Sequence, residues 1–412
     1  MRMKFNKSSQ LLLVSVASLL VAGLVTACGT LTVDFVFVAS SKAAGANNYG
    51  QMDVFEINSE SGFMRQIPTS PFPSGGRNPV AEAVSSDNTN LYVVNQDDNS
   101  IVQFIIGNDG KLYPQNTVNT PGIYPLAVAV SGMNLFVVDT YQPLPTCSTA
   151  DPCSGSVAVF PITASSSSPP SDALGPPIAN PGNGTNYWPL TLSSSPKDII
   201  LPTAVNVLHS GAAVFVTAYD TTASTGYVFG FTVGTGGVLT PVNGGVPHYM
   251  GVGVHPSAIA SDSSSSYVYV TDSTNGIVVS YSVASGVLTK LSDSPTGDQP
   301  SAIVVDPLYP YAYVANSLDS TVTAYSIGSS GALTSLGAYA TGTQPVAIGI
   351  DPSTNHFLFT ANYLGNGVVG TVSGFELSTT TGTLVNSQNS PYTANAQPTA
   401  VAAISHGAAP QK

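Results

Sequence analysis

Two short patterns of apolar and polar positions recur along this chain. The first is a Pro, any residue, an Ala and then a run of small or β-branched residues, opening at Pro79, Pro125, Pro202, Pro256, Pro300, Pro345 and Pro398. The second alternates aromatic residues with Val and ends in a polar residue, as at Phe35–Ala39, Leu91–Asn95, Leu135–Asp139, Val214–Ala218, Tyr267–Thr271, Tyr311–Asn316 and Phe357–Asn362. A third apolar run follows, such as Ser100–Ile105 or Thr321–Ile327, and a Gly-x-Leu turn opens a fourth, as at Gly110–Leu112, Gly286–Leu288, Gly331–Leu333 and Gly382–Leu384. Runs of this length, rich in Val, Ile, Tyr and Phe and bounded by turn residues, predict β-strands. The period is regular: 44 residues separate Pro256 from Pro300, and 45 separate Pro300 from Pro345.

Four short antiparallel strands repeated at such a period form one blade of a β-propeller. Each motif occurs seven times, so the fold class expected is all-β, a seven-bladed propeller of four-stranded antiparallel blades. The first repeat begins at its second strand, Phe35, while the last Pro-x-Ala strand, Pro398–Ile404, has no second strand after it. The C-terminal strand is therefore expected to lie innermost in the first blade, closing the ring and removing an open seam. Small residues at Ala81, Ala127, Ala258 and Ala302 suit inner strands crowded about an axis. The other face carries Val128, Val205, Ile259, Ile303, Ile348 and Val401, suited to packing between blades; in the second repeat that position holds Glu82.

The third repeat is swollen. Residues 140–155 and 163–198 read as loop insertions on the ring rather than a second domain, and the sole Trp, Trp188, lies in the second of them, where it either packs against the propeller or stacks on a sugar. Residues 406–412 read as a flexible tail, leaving 29–405 as the propeller. Residues 1–28 hold a basic start (Arg2, Lys4, Lys7), an uncharged apolar run from Leu11 to Val25 and small residues ending at Cys28. This is a secretory signal pattern, too short for a comfortable membrane span. Leu24-Val-Thr-Ala-Cys28 resembles the lipobox of bacterial lipoproteins, which implies lipidation at Cys28 and anchorage in the cell envelope, with Gly29 favouring the outer membrane or cell surface. The membrane is then met through that lipid alone. Cys147 and Cys153 remain as an even pair in an oxidising compartment, where a disulfide is expected.

Composition narrows the function classes. Lys+Arg number 10 against 22 Asp+Glu, and three of those bases lie in the leader. A nucleic-acid partner needs the opposite field, and anionic substrates are repelled at long range. No nucleophile elbow, zinc-protease helix or phosphate loop is present, and His209, His248, His255, His356 and His406 have no ligand-like spacing.

The strands Tyr267–Asp272, Tyr311–Asn316 and Phe357–Asn362, each followed by a third strand and a Gly-x-Leu turn, resemble the Tyr-Val-Thr-Asn propeller repeats and the related β-propeller lactonases, which include 6-phosphogluconolactonase-like proteins. The resemblance spans nearly the whole exported chain. It implies the propeller fold and a lactone hydrolase. Lactonase-type propellers often carry a His after the Pro of the inner strand; here those positions are Val80, Leu126, Thr203, Ser257, Ser301, Val346 and Thr399. A phosphorylated lactone also needs a basic cradle, and beyond the leader the only arginines are Arg65 and Arg77. No catalytic residue is carried over from the family.

In a propeller, the loops before the inner strands and after the second strands share one face at the channel mouth. The residues preceding each Pro are Asn78, Tyr124, Leu201, His255, Gln299, Gln344 and Gln397, a polar and mostly neutral ring suited to a polar ligand. Glu82 in an apolar position is costly unless paired, and Arg77 is the candidate partner. The two read either as an acid/base with its electrostatic clamp or as a structural ion pair, and Glu82, Arg77 and His255 are expected to line one pocket. Asn95, Asp97, Asp98, Asp139, Asp220, Asp272, Asn316, Asp319 and Asn362 add oxygen atoms to that face. These either ligate Ca²⁺ or, as is commoner at strand ends, bond turn backbone; no cofactor and no other metal is expected. The functional expectation is a lipid-anchored envelope propeller binding a protein, glycan or small polar ligand on its loop face. The alternative is a lactonase acting on an uncharged lactone, with Glu82 or His255 as general base.

Overall fold

The computed structural model describes residues 33–405 apart from 45–47, 59–60, 145–146, 148–152, 165–171, 353–356 and 365–368. The leader with Cys28, the tail 406–412, His356 and His406 lie outside the described residues.

Seven antiparallel sheets follow one another around a ring. Blade I runs from the inside outward as Pro398–Ile404, Val33–Ala44, Tyr49–Asn58 and Met64–Gln66. Blade II is Pro79–Val84, Asn90–Asn95, Ser100–Ile106 and Leu112–Asn119; blade III is Ile123–Ser131, Asn134–Tyr141, Ser156–Thr163 and Ala173–Leu174. Blade IV begins at Ile200–Val207, blade V at Pro256–Ser261, blade VI at Pro300–Val305 and blade VII at Pro345–Ile350. Each inner strand touches the next, including Pro345–Ile350 against Pro398–Ile404 and Pro398–Ile404 against Pro79–Val84.

Closure is as the strand order predicts. The C-terminal strand pairs with the first, with Phe37 opposite Ala402 and Val38 opposite Val401. Both faces of this pair are buried: Phe35, Phe37, Ala400 and Ala402 pack toward blade II, while Val36, Val38, Val401 and Ala403 pack toward blade VII. Burial on both faces is why these strands read as continuous apolar runs rather than strict alternations.

The Pro-x-Ala motif has a backbone cause beyond crowding. In every blade the register between the inner and second strands slips by one residue between the Pro and the Ala. The residue after each Pro is thus the unpaired member of a β-bulge, and Pro, which lacks a donor, is tolerated at such a site. The bulge turns the side chain it carries. Ser257 Oγ donates to the carbonyl of Pro300 in the next blade at 2.5 Å, Ser301 Oγ to that of Pro345 at 2.7 Å, and Thr399 Oγ1 to that of Pro79 at 2.7 Å. The third of these rungs crosses the closure seam. A glycine makes room there as well: a Cβ on Gly370 would collide with the ring of Pro398.

The swollen third repeat is partly absorbed into the ring. Ala173–Leu174 and Trp188–Pro189, both within the segment expected as a loop, pair with Ser156–Thr163 and extend the outer edge of blade III. Asp172 and Leu174 hydrogen-bond to Gln103 of blade II, tying the insertion to its neighbour. Trp188 packs in the apolar layer between blades III and IV, as the first of its two expected roles requires. Cys147 and Cys153 form the expected disulfide, their Cα atoms 5.4 Å apart.

Candidate functional site at the channel mouth

Four of the seven residues before the inner-strand prolines stand on strained backbone. Asn78, Tyr124, Gln299 and Gln344 have φ of 53°, 57°, 50° and 57°. For a side chain larger than Asn's this left-handed conformation costs about 1 kcal/mol. Hydrogen bonds from the second-strand ends hold it. The carbonyls of Asn78, Gln299 and Gln344 each accept a backbone N–H, from Gln96, Ser317 and Tyr363, at 2.9 Å.

Most of the Asp and Asn residues at the second-strand ends bond to turn backbone, while Asn362 bonds the side chains of Thr360, Thr371 and Ser373. Asp272 Oδ1 accepts the N–H groups of His255 and Thr274, both at 3.0 Å. Asp139 Oδ2 accepts the Gly122 N–H at 3.0 Å, and Asn316 Oδ1 the Gly297 N–H at 3.1 Å. Asp139 is fully buried, and burial pushes its carboxyl up to about 7, partly offset by the Thr120 hydroxyl and the Gly122 amide. Among the described residues no group of three or more His, Cys, Asp or Glu side chains is placed to hold a metal ion.

The mouth opens into a cavity of about 840 Å³ on the side of blades V and VI. His255 and Gln299 line it, together with Ser257, Ser273, Asn275 and Asp298. His255 is firmly placed: its carbonyl accepts the Ser273 N–H at 2.9 Å, its imidazole Nδ1 lies 3.4 Å from Ser273 Oγ, and its ring packs on Tyr219 with centroids 4.3 Å apart. Asp298 is the one acidic residue on the wall, and no basic side chain other than the imidazole lines it. The arrangement offers one imidazole, hydroxyls and neutral amides in an open polar cleft. Such a set can take a proton from water and hydrogen-bond an uncharged oxygen-rich ligand.

The expected convergence of Glu82, Arg77 and His255 does not occur. Arg77 is engaged elsewhere: its guanidinium lies 2.6 Å from Asp98 Oδ1, and its backbone N–H donates to Asp98 Oδ2 at 2.7 Å. Neither Arg77 nor Glu82 lines the cavity of His255. An extended strand rises about 3.3 Å per residue, so the five residues from Arg77 to Glu82 carry the chain roughly 16 Å from the mouth into the wall. There Glu82 stands beside Ala402 of the closing strand. Both its oxygens are shielded from solvent without a well-formed hydrogen bond. Burial pushes its carboxyl well above the usual carboxylate range, with only partial relief from the Ala402 backbone.

The other mouth residues stand apart from the cavity as well. Asn78 donates to Gln96 and Asp97, both at 3.2 Å, and Tyr124 rests edge-on against Tyr141, with centroids 6.3 Å apart. The Gln344 N–H donates to Ser320 Oγ at 3.3 Å, and the Gln397 carbonyl accepts the Ser41 N–H at 3.2 Å. Asp298, Asn275 and Ser273 were not singled out from the sequence. The available signal was position: Asp298 precedes Gln299 in the same loop, and Ser273 and Asn275 follow the strand-end Asp272.

With the geometry in hand, comparison with known proteins defines the class. The chain is a seven-bladed β-propeller, and residues 238–350 and, overlapping them, 267–399 match the model of a family described as lactonase, 7-bladed beta-propeller. The matched stretch runs from the outer part of blade IV through blade VII into the closing strand. Among solved structures, a candidate 6-phosphogluconolactonase from Bacteroides fragilis is similar at 19% identity and a TM-score of 0.68, over 91% of this chain and 99% of that one. The periplasmic gluconolactonase of Pseudomonas aeruginosa is similar at 18% identity and 0.68, over 90% and 99%. A hypothetical selenium-binding protein from Sulfolobus tokodaii is similar at 9% identity and 0.60, over 90% and 93%. Likenesses at these identities speak for the fold, which is shared by differing chemistries. Among curated proteins, none matches the chain.

Proposed function

We propose that this chain is a lactonase-type hydrolase that opens an uncharged lactone in the cavity between blades V and VI. One observation carries the reading: the residues that line the His255 cavity, from His255 to Leu318, all lie within the stretch that matches the lactonase family model. In this reaction a water oxygen attacks the lactone carbonyl while His255 takes the water proton. The ring C–O bond then breaks, and the departing alkoxide is protonated to give a hydroxy acid. Gln299 and Asn275 are the neutral donors on the wall. Asp298 and the acidic balance of the chain disfavour a phosphorylated substrate, and Arg77, already paired with Asp98, is not free to cradle a phosphate.

We read the protein as exported and held in the envelope by lipid at Cys28. The basic start, the apolar run and the Cys28 context support this, as does a disulfide of the kind that persists in oxidising compartments. A second reading, a propeller that binds a polar ligand or partner without chemistry, is favoured by one feature. The hydroxyls of Ser257 and Ser301, standing where related propellers often have His, are spent on rungs to the next blade.

Acid release from a panel of neutral aldonolactones and their phosphorylated counterparts, followed by pH-stat with the full chain, tests the proposal. Hydrolysis of a neutral lactone, with the phosphorylated one turned over at least about tenfold more slowly, is expected. No acid release above the buffer rate, with a neutral lactone still bound, would replace the hydrolase by the binding reading.

A further inference from the structure

We infer a second ligand site, on the outer rim between blades III and IV, that takes an uncharged ring-containing molecule such as a glycoside. The site is built where a split outer strand meets a long insertion. In blades V and VI the fourth strand runs unbroken, as Val287–Pro295 and Leu333–Ala340. In blade IV, as in blades I and VII, it is in two pieces, here Leu239–Pro241 and His248–Val252 separated by the turn Val242–Gly245. The third repeat departs from the pattern at the same place: its long insertion brings residues 180–193 alongside the split. The insertion and the split strand together enclose a cleft of about 550 Å³, within the range of small-molecule sites.

The chemistry of the cleft differs from that of the rest of the molecule. Its wall carries no Asp, Glu, Lys, Arg or His, although the chain as a whole has 22 acidic residues. The floor is Trp188, Phe229 and Phe231, all nearly buried. Four prolines from the two segments stiffen the sides. The polar groups are amides and hydroxyls alone, including Asn183, Thr191 and Thr240. A charged ligand would be desolvated there without a partner. A neutral one can set a C–H or aromatic face on the apolar wall and its hydroxyls on the rim. The apolar surface continues outward through Val246, which is 54% exposed.

Trp188 is the only Trp in the chain and forms part of this wall, so its emission reports on the cleft directly. The full chain is titrated with 4-nitrophenyl β-D-glucopyranoside, whose aryl ring quenches Trp at short range, and separately with 4-nitrophenyl phosphate, which carries the same ring with a charge. Saturable quenching by the glucoside is expected, with the phosphate at least about tenfold weaker. Val246→Asp, at an exposed rim position, should weaken the glucoside by about tenfold while leaving the free emission spectrum unchanged. His255→Ala should leave the titration unchanged, separating this site from the channel mouth. Purely collisional quenching, equal response to both compounds, or indifference to Val246→Asp would each overturn the inference.

Discussion

Blades V and VI and the seam between blades I and II hold different residues at equivalent positions of one repeat. Before the inner-strand Pro, blade V has His255 and blade II has Asn78; after it, Ser257 and Val80; three residues on, Ile259 and Glu82. In blade V the ionisable group sits at the mouth, where the loops part into a cavity. In blade II it sits in the wall, where inner strands press together and the closing strand leaves its oxygens without well-formed hydrogen bonds. The same backbone thus makes a titratable side chain available to a ligand or isolates it, depending only on its height along the inner strand. An ionisable side chain just before the Pro reaches the cavity, whereas one three residues after it is walled in.

The comparison can be broken most decisively at the seam. A chain ending at Gln397 lacks the inner strand of blade I, exposing the apolar faces of Phe35 and Phe37 on one side and Val36 and Val38 on the other. Loss of cooperative thermal unfolding is expected by circular dichroism. A melt like that of the full chain would mean that closure contributes little.

Glu82→Gln sharpens the contrast next. A carboxyl whose pKa is raised on folding supports stability below its unfolded pKa, and that support is lost as pH rises. Between about pH 4.5 and the folded value, stability falls by about 1.4 kcal/mol per unit. Glu82→Gln should therefore stabilise the protein at pH 8 by about 2–4 kcal/mol and have little effect at pH 4. Asp139, with its carboxyl pushed up to about 7, adds a slope of the same sign, so the pair is best compared in an Asp139→Asn background. A lower melting temperature for Glu82→Gln at pH 8 would show that the ionised carboxylate has a partner.

The smallest effect separates the rungs. Thr399→Val at the seam and Ser301→Ala between blades VI and VII each remove one hydrogen bond to a Pro carbonyl, worth about 1 kcal/mol. Equal losses in urea melts are expected if the seam is an ordinary blade junction. A loss at Thr399 several times larger would mark the seam as the weak point of the ring.

The architecture was legible in the chain because its signals repeat. Seven inner strands, seven second strands and an offset between first and last leave one closed arrangement, and Phe37 does lie opposite Ala402. What the Pro-x-Ala motif conceals is the bulge: crowding explains the Ala, whereas the slipped register that frees the intervening side chain is a pairing property with no residue signature of its own. The site was legible in part. His255 and Gln299 could be placed at the mouth by position alone, but the Arg77–Glu82 pair rested on nearness in sequence, which in an extended strand means distance in space. Asp98, twenty-one residues from Arg77, reaches it because the second strand returns to the same rim. Likewise Trp188 sits in a segment whose Ser, Pro and Gly content reads as loop, and its burial depends on pairing with Val157.

The central claim is that chemistry belongs to the His255 cavity and not to the buried carboxyl at the seam. It is tested most directly by measuring kcat/KM for one neutral lactone in His255→Ala and Glu82→Gln side by side. The account predicts a fall of about a hundredfold or more for His255→Ala, with Glu82→Gln remaining close to the parent chain. A collapse in Glu82→Gln with activity preserved in His255→Ala would contradict it.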